Sequence, residues 1–339
     1  MPNPNHILVF RFSAMGDVAM VVPVIRALVS KYPELKITVV TRRFFVPFFR
    51  DIKNVEVYEA DLKGKHKGIF GLRKLSKELK ALNIDAVADI HNVLRTKILK
   101  LFLGKKVVQV NKGRADKKAL ISGQKFEQLK TTHQRYADVF AELGFPVELT
   151  NPIFPKKVEL SSKLKQYISN VNLPLIGIAP FAAHEGKMYP LEQMKQVINA
   201  LSENYNIVLF GGGKKEVELL NRIESENKNT HSVAGKLSLD EELDLISNLD
   251  IMLSMDSGNA HMAAMLGVKV ITVWGVTHPF AGFAPFNQPH HYALVANRKE
   301  FPQIPTSIYG NKLPKGYEKA AGSSSVDSII EKITSIISE

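Results

Sequence analysis

Short runs rich in Val and Ile alternate with helix-like stretches along almost the whole chain, and this alternation limits the fold more than any other feature. In the first half the runs are "HILVFRF", "KITVVT", "VEVYE", "AVADI" and "KVVQV", with stretches such as "VAMVVPVIRALVSKY" and "GLRKLSKELKAL" between them. Mostly apolar strands separated by helices predict a parallel sheet covered on both faces. The pattern pauses at "PVELTNPIFPKKVELSS", residues 146–162, where Pro146, Pro152 and Pro155 interrupt any helical period and mark a linker. A second series then follows: "LIGIAP", "NIVLFGGG", "HSVAG", "DIMLSM" and "KVITVWG". At 339 residues the chain exceeds one ordinary core. The expectation is two α/β doubly wound domains with a cleft between them, binding ligands beyond the carboxyl ends of the strands. The last segment, "SVDSIIEKITSIIS", puts Val326, Ile329, Ile330, Ile333, Ile336 and Ile337 on one helical face behind an N-cap at Ser325. With one lysine on its polar side, that face suits packing better than membrane anchoring.

Apolar residues make up 45% of the chain and charged ones 23%, as in soluble globular proteins. No apolar run reaches the ~18 residues of a membrane span. The start, "MPNPNHILVF", lacks the basic region and cleavage site of a secretory signal, so a cytoplasmic protein is expected. The absence of cysteine rules out disulfides, thiol catalysis and thiolate metal sites. The net charge of +12 favours an anionic partner, and basic residues thicken in the first half from Arg42 and Arg43 to Lys117 and Lys118. A solvated basic face would look the same. No zinc finger, aromatic recognition box or long basic block argues for nucleic acid.

Four stretches carry residues suited to chemistry. In "FRFSAMGDVAMVVP", residues 10–23, Gly16 and Asp17 follow the first strand and open a helix. Such a carboxylate is either a first-turn helix acid or a group facing a ligand. In "MDSGNAHMAAMLGVKVITVWGVTHP", residues 255–279, Asp256, Ser257 and Gly258 end a strand and start a helix with His261 on its first turn, a phosphate-binding arrangement unless these residues are only caps. The following strand ends in a second glycine turn, Gly275 to Thr277. "APFAAHEGKMYPLEQMKQVI", residues 179–198, places Lys187 in a loop after a strand, as a charge for a diphosphate or as a surface lysine. "LFGGGKKEVE" brings Glu216 soon after a strand, where a carboxylate can hold a ribose diol. Neither a G-x-G-x-x-G fingerprint nor a P-loop is present.

Together, "RFSAMGDVAMVVPVIRAL", "DIHNVLRT", "THQRYADVFAELG", "APFAAHEGKMYP", "LFGGGKKE", "VAGKLSLDEELDLISNLDIMLSMDSGNAHMAAMLG" and "VWGVTHP" resemble, in order, the heptosyltransferase family, glycosyltransferase family nine. The resemblance covers roughly residues 7–280, with "SAMGD" and "DSGNAHMAA" its most specific parts. It implies the GT-B architecture: an acceptor-binding Rossmann-like domain at 1–155, a nucleotide-sugar domain at 156–322, and a C-terminal helix at 323–339 packing back on the first domain. It implies an inverting, metal-independent transfer of heptose from ADP-heptose to the anionic inner core of lipopolysaccharide, without a cofactor and in peripheral contact with the cytoplasmic face of the inner membrane. Asp17 matches the proposed general base, with Gly16 beside it, and Lys187 the charge on the leaving diphosphate. Asp256 matches the residue holding sugar hydroxyls, Glu216 the ribose ligand, and Ser257, Gly258 and His261 the phosphate region, while the backbone to Leu237 lines the base. Arg42, Arg95 and Arg114 are the acceptor-phosphate candidates. The chain departs from the family pattern at Ala182 and Ala183, where hydroxyl residues are common. Another nucleotide sugar, or a non-catalytic nucleotide-sugar-binding protein, are the alternatives.

Overall fold

The computed structural model describes residues 4–339, which divide into two compact units. One consists of the chain up to Lys112 together with Lys130–Phe154, the other of Gly113–Leu129 and Pro155–Glu339.

The first unit is a five-stranded sheet in the order β3-β2-β1-β4-β5. Its elements are β1 (His6–Phe10), α1 (Met15–Ala19), α2 (Val21–Lys31), β2 (Lys36–Thr41), β3 (Val55–Glu59), α3 (Gly68–Lys80), β4 (Ala86–Asp89), α4 (Leu94–Leu103) and β5 (Lys106–Gln109). Every pairing is parallel. The central strand β1 is buried at all five positions, which is why its sequence is continuously apolar rather than alternating. Leu72, Leu75 and Leu79 of α3 and Leu99 and Leu103 of α4 close one face over Leu8, Phe10 and Val87.

The segment after β5 carries α5 (Arg114–Ile121) and belongs to the second unit, after which α6 (Thr132–Glu142) returns to the first. Leu120, Phe126 and Leu129 pack on Phe280, Ala281 and Phe283, and the Leu129 N–H donates to the Phe280 carbonyl at 2.9 Å. The chain passes from the first unit to the second after Phe154, and residues 113–129 group with the second unit. Their apolar side chains find a core formed by residues about 150 positions later in the chain, which local pattern does not reveal.

The second unit continues with α7 (Ser162–Lys165), β6 (Leu175–Ala179), α8 (Leu191–Ser202), β7 (Asn206–Leu209), α9 (Lys214–Glu226), β8 (Thr230–Ser232), α10 (Leu239–Ser247), β9 (Ile251–Met255), α11 (Gly258–Met265), β10 (Lys269–Trp274), β11 (Ala293–Val295) and α12 (Val326–Ser338). Its sheet is parallel in the order β11-β10-β9-β6-β7-β8. The apolar stripe of α12 exists as read, with Ser325 accepting from the Ser328 N–H as N-cap. Ile329, Ile333 and Ile336 lie buried in the second core with Met194 and Val197 of α8. The helix thus belongs to the core of the second unit, and the Tyr189 hydroxyl fixes its approach by donating to the Ser324 carbonyl at 2.8 Å. Among the described residues no helix is long and apolar enough to cross a membrane.

Strand order locates the functional edges. In the first sheet the chain winds one way from β1 to β2 and the other way through β4, so the loops after β1 and β4 part at a switch point. In the second sheet the corresponding pair is β6 and β9.

Candidate functional site

Asp17 and Arg95 follow β1 and β4 at the first switch point, and Lys187 and Asp256 follow β6 and β9 at the second, whereas Arg42, Arg114, Glu216 and Leu237 lie beyond other strands. In the first unit β1 runs directly into Arg11, whose side chain is only 7% exposed. Its Nη1 donates to the Ile90 carbonyl beyond β4 at 3.0 Å, and its Nη2 lies 2.5 Å from Asp17 Oδ2. Asp17 is the third residue of α1, and Oδ2 also accepts the Ala14 N–H at 3.3 Å. The first-turn role and the ion pair thus both use Oδ2, while among the described residues Oδ1 takes no hydrogen bond. A carboxylate held by one oxygen and open at the other is fixed in direction yet able to receive a proton from a ligand.

His91, after β4, is buried beside this pair, and the Phe12 N–H donates to its Nδ1 at 3.4 Å. Burial, reinforced by the charges of Arg11 and Lys112, pushes its pKa down to about 3. The ring is therefore neutral, and with Nδ1 accepting, Nε2 carries the hydrogen. The loop itself is shaped by buried Asp89, whose Oδ1 accepts the N–H groups of His91 and Asn92 at 3.2 and 2.7 Å. Sequence reading missed Arg11 and His91 as site residues. Neither sits in a spacing that signals chemistry, and only the pairing of β1 with β4 brings them to Asp17.

The three arginines proposed for acceptor phosphate separate. Arg42 is half-buried, donates through Nε to the Phe12 carbonyl at 2.7 Å and lies 4.9 Å over the Phe45 ring, so it braces the end of β1. Arg95 is exposed on the first turn of α4. Arg114 is exposed at the start of α5, in the second unit rather than the first.

In the second unit Lys187 and Asp256 arrive from the loops after β6 and β9. Lys187 Nζ is 2.8 Å from Asp256 Oδ2, with 14% and 7% of the two side chains exposed. The same oxygen accepts the Thr277 hydroxyl at 2.8 Å, and Lys187 Nζ donates to the Asp256 carbonyl at 3.3 Å. Gly275 lets this arrangement form, since a Cβ there would lie 2.1 Å from the Gly186 carbonyl oxygen. Lys187 is thus no free surface lysine but a nearly desolvated cation beside a helix start. At that start Ser257 occupies the N-cap of α11 without capping it, because its hydroxyl pairs with that of Ser254 at 3.0 Å. The uncapped end of α11 retains the partial positive charge that attracts an anion. His261, one turn in, is buried rather than on the surface. Glu216, in the first turn of α9, accepts the Gly212 N–H at 2.7 Å and so orders the glycine turn after β7. Gly16, the second residue of α1, and Leu237, in the loop before α10, are half-buried. Among the described residues no three His, Asp or Glu side chains cluster as a metal would require.

A family model for glycosyltransferase family 9 (heptosyltransferase) matches residues 72–306. The chain is 27% identical over 301 residues to the lipopolysaccharide core heptosyltransferase OpsX of Haemophilus influenzae, covering 84% of this chain and 82% of that protein. Among solved structures it resembles the family 9 glycosyl transferase of Veillonella parvula, with a TM-score of 0.77, 19% identity and coverage of 98% and 97%. It also resembles the E. coli heptosyltransferase WaaC with ADP, with a TM-score of 0.70, 18% identity and coverage of 98% and 99%. These likenesses show the fold of each unit to be the one expected of a GT-B enzyme.

Proposed function

Because the chain belongs to glycosyltransferase family 9, the heptosyltransferases, and is on that ground a glycosyltransferase, we propose that it moves a heptose from ADP-heptose to the inner core of lipopolysaccharide, with inversion and without a metal ion. The observation that carries this reading is the half-occupied carboxylate of Asp17, pinned through Oδ2 and open at Oδ1. The acceptor hydroxyl gives its proton to Oδ1 while its oxygen attacks the anomeric carbon from the face opposite the diphosphate. The bond from that carbon to the diphosphate oxygen breaks, its electron pair leaves with ADP, and the configuration inverts.

The leaving diphosphate gains charge as this bond breaks. Lys187 exchanges Asp256 for phosphate oxygens, and the α11 N-terminus adds fixed dipoles. Asp256, still held by Thr277, then turns an oxygen to the sugar hydroxyls. Glu216 takes the ribose, His261 the phosphate region, and the backbone near Leu237 the base. Ala182 and Ala183 leave the loop after β6 without side-chain hydroxyls, which favours a relaxed donor preference as the second reading. A calorimetric titration with ADP, UDP and GDP sugars separates the two. ADP-heptose should bind tightest, and tighter binding of another nucleotide sugar would transfer the assignment to that donor.

A further inference from the structure

All strands of the first sheet are parallel, so the segments leaving β1, β3 and β4 emerge at the same edge. Asp17 follows the first of these. The other two lead into α3 and α4, which pack side by side, and their first turns expose large apolar side chains: Ile69 at 61%, Phe70 at 88% and Leu94 at 75%. The core does not need these residues, because α3 already buries Leu72, Leu75 and Leu79.

The loop before α3 is braced from within. The Asp61 carboxylate accepts the Gly64 and Lys65 N–H groups at 2.8 and 2.9 Å. The Asp61 N–H donates to Nδ1 of fully buried His66 at 3.1 Å, and His66 Nε2 bonds Glu78 at 2.9 Å. Tyr58 donates to the same Glu78 oxygen. Asp61 is thereby engaged, and Glu78 is shared by Tyr58, His66 and Lys65, whose Nζ lies 3.5 Å from it, while the side chains of Lys63, Lys65, Lys67, Arg73, Lys74 and Arg95 are exposed around the apolar tip.

We propose that this tip docks the protein on an anionic phospholipid bilayer. Ile69, Phe70 and Leu94 enter the boundary between headgroups and acyl chains, and Lys63, Lys65 and Lys67 meet lipid phosphates. Apolar insertion combined with basic charge is the pairing that holds a protein reversibly in the interfacial plane. The excess of cations commits the surface to an anionic membrane rather than to a second copy of this equally basic chain, which would be repelled. Docking would bring the Asp17 edge of the first sheet to a lipid-anchored acceptor. That consequence rests on the proposed function, whereas the docking itself does not.

The test is co-sedimentation with phosphatidylethanolamine vesicles with and without phosphatidylglycerol. The wild-type chain should bind only the anionic vesicles. Ile69→Ser with Phe70→Ser should weaken binding by roughly ten-fold or more, and Lys63, Lys65 and Lys67 all replaced by Gln by roughly a hundred-fold. Both variants should keep the wild-type melting temperature, since the altered side chains are exposed. Phe70→Trp should blue-shift its emission on anionic vesicles, against the constant signal of Trp274, which is 1% exposed and the chain's one tryptophan. Undiminished binding by the Ser variant, no shift at position 70, or loss of a dimer on Phe70→Ser would overturn the proposal. Vesicle binding without transfer activity would instead count against the proposed function alone.

Discussion

Arg11 grips Asp17 by one oxygen only: its Nη2 lies 2.5 Å from Oδ2, the Ala14 N–H joins the same atom, and Oδ1 takes no hydrogen bond among the described residues. The two residues stand six positions apart across the turn leaving the first strand, and Arg11 is in turn fixed to the Ile90 carbonyl. Direction in a general base is worth as much as basicity, since misplacement by about 1 Å costs ~10²-fold in rate.

Arg11→Ala should therefore lower kcat by roughly 10–100-fold while leaving donor affinity within a few-fold, and Arg11→Lys should restore part of the loss. Asp17→Asn should cost ~10²–10⁴ in kcat. Steady-state kinetics with both substrates varied check these values. An Arg11→Ala loss confined to KM for donor would show that the arginine binds substrate instead of positioning Asp17.

Lys187→Ala should weaken ADP and ADP-sugar alike, by ~1.5–3 kcal/mol for a lost charge-assisted bond, and slow turnover as well. The variant also leaves Asp256 without its cation, so Lys187→Ala with Asp256→Asn should recover thermal stability but not ADP affinity. Transfer should persist in EDTA, because Lys187 and the α11 N-terminus supply the positive charge. Calorimetry with ADP reads the first effect, and restoration of a chelated enzyme by Mg²⁺ or Mn²⁺ would contradict the second.

Arg42 and Arg95 should respond differently to replacement by Gln. Arg42→Gln loses the bond to the Phe12 carbonyl and the stacking on Phe45, and should destabilise the first unit by roughly 1–2 kcal/mol. Arg95→Gln should leave the melting temperature unchanged and raise the acceptor KM, with a flatter salt dependence because an exposed charge is screened over ~8 Å at physiological ionic strength. Equal effects of the two on acceptor KM would return Arg42 to the binding role.

How much of this could be read from sequence follows from what each signal encodes. The ten strands named from sequence all appear: central strands such as β1 and β9 are apolar because they are buried throughout, while the edge strands β3 and β5 are partly exposed and carry charged residues, and β11 was not named. The amphipathic face of α12 was visible, but amphipathicity states that a face is buried and not against what. The same holds for 113–129, whose Leu120, Phe126 and Leu129 find their core in the second unit. At the sites, Asp17, Lys187 and Asp256 stood out because each ends a strand in a recognisable loop. The Lys187–Asp256 pair joins residues 69 positions apart, and only the β6–β9 switch point predicts their meeting. Arg11 and His91 gave no signal, since a basic residue after an apolar strand fits many local structures.

Glu242, in the first turn of α10, supplies a pH test of the second unit. Burial pushes its pKa up to about 7 from the ordinary 4.5. A raised carboxyl pKa means that the folded state retains a proton that the unfolded state releases, so stability is fully present below about 4.5 and is lost as pH rises through about 7. Glu242→Gln should then stabilise the protein by roughly 1–3 kcal/mol at pH 8 and by almost nothing at pH 4. Thermal melts of both proteins across that range check it, and a pH-independent difference would show that packing rather than charge is at work.

The central claim is transfer of heptose with Asp17 as base, and one measurement addresses it directly: heptose-labelled ADP-heptose incubated with a heptose-free inner-core glycolipid, with the product read by mass spectrometry. The account predicts label in the glycolipid with the wild-type chain and almost none with Asp17→Asn, although that variant still binds ADP as the wild type does. Label that remains on the nucleotide with every acceptor, or that moves at the wild-type rate in Asp17→Asn, would contradict it.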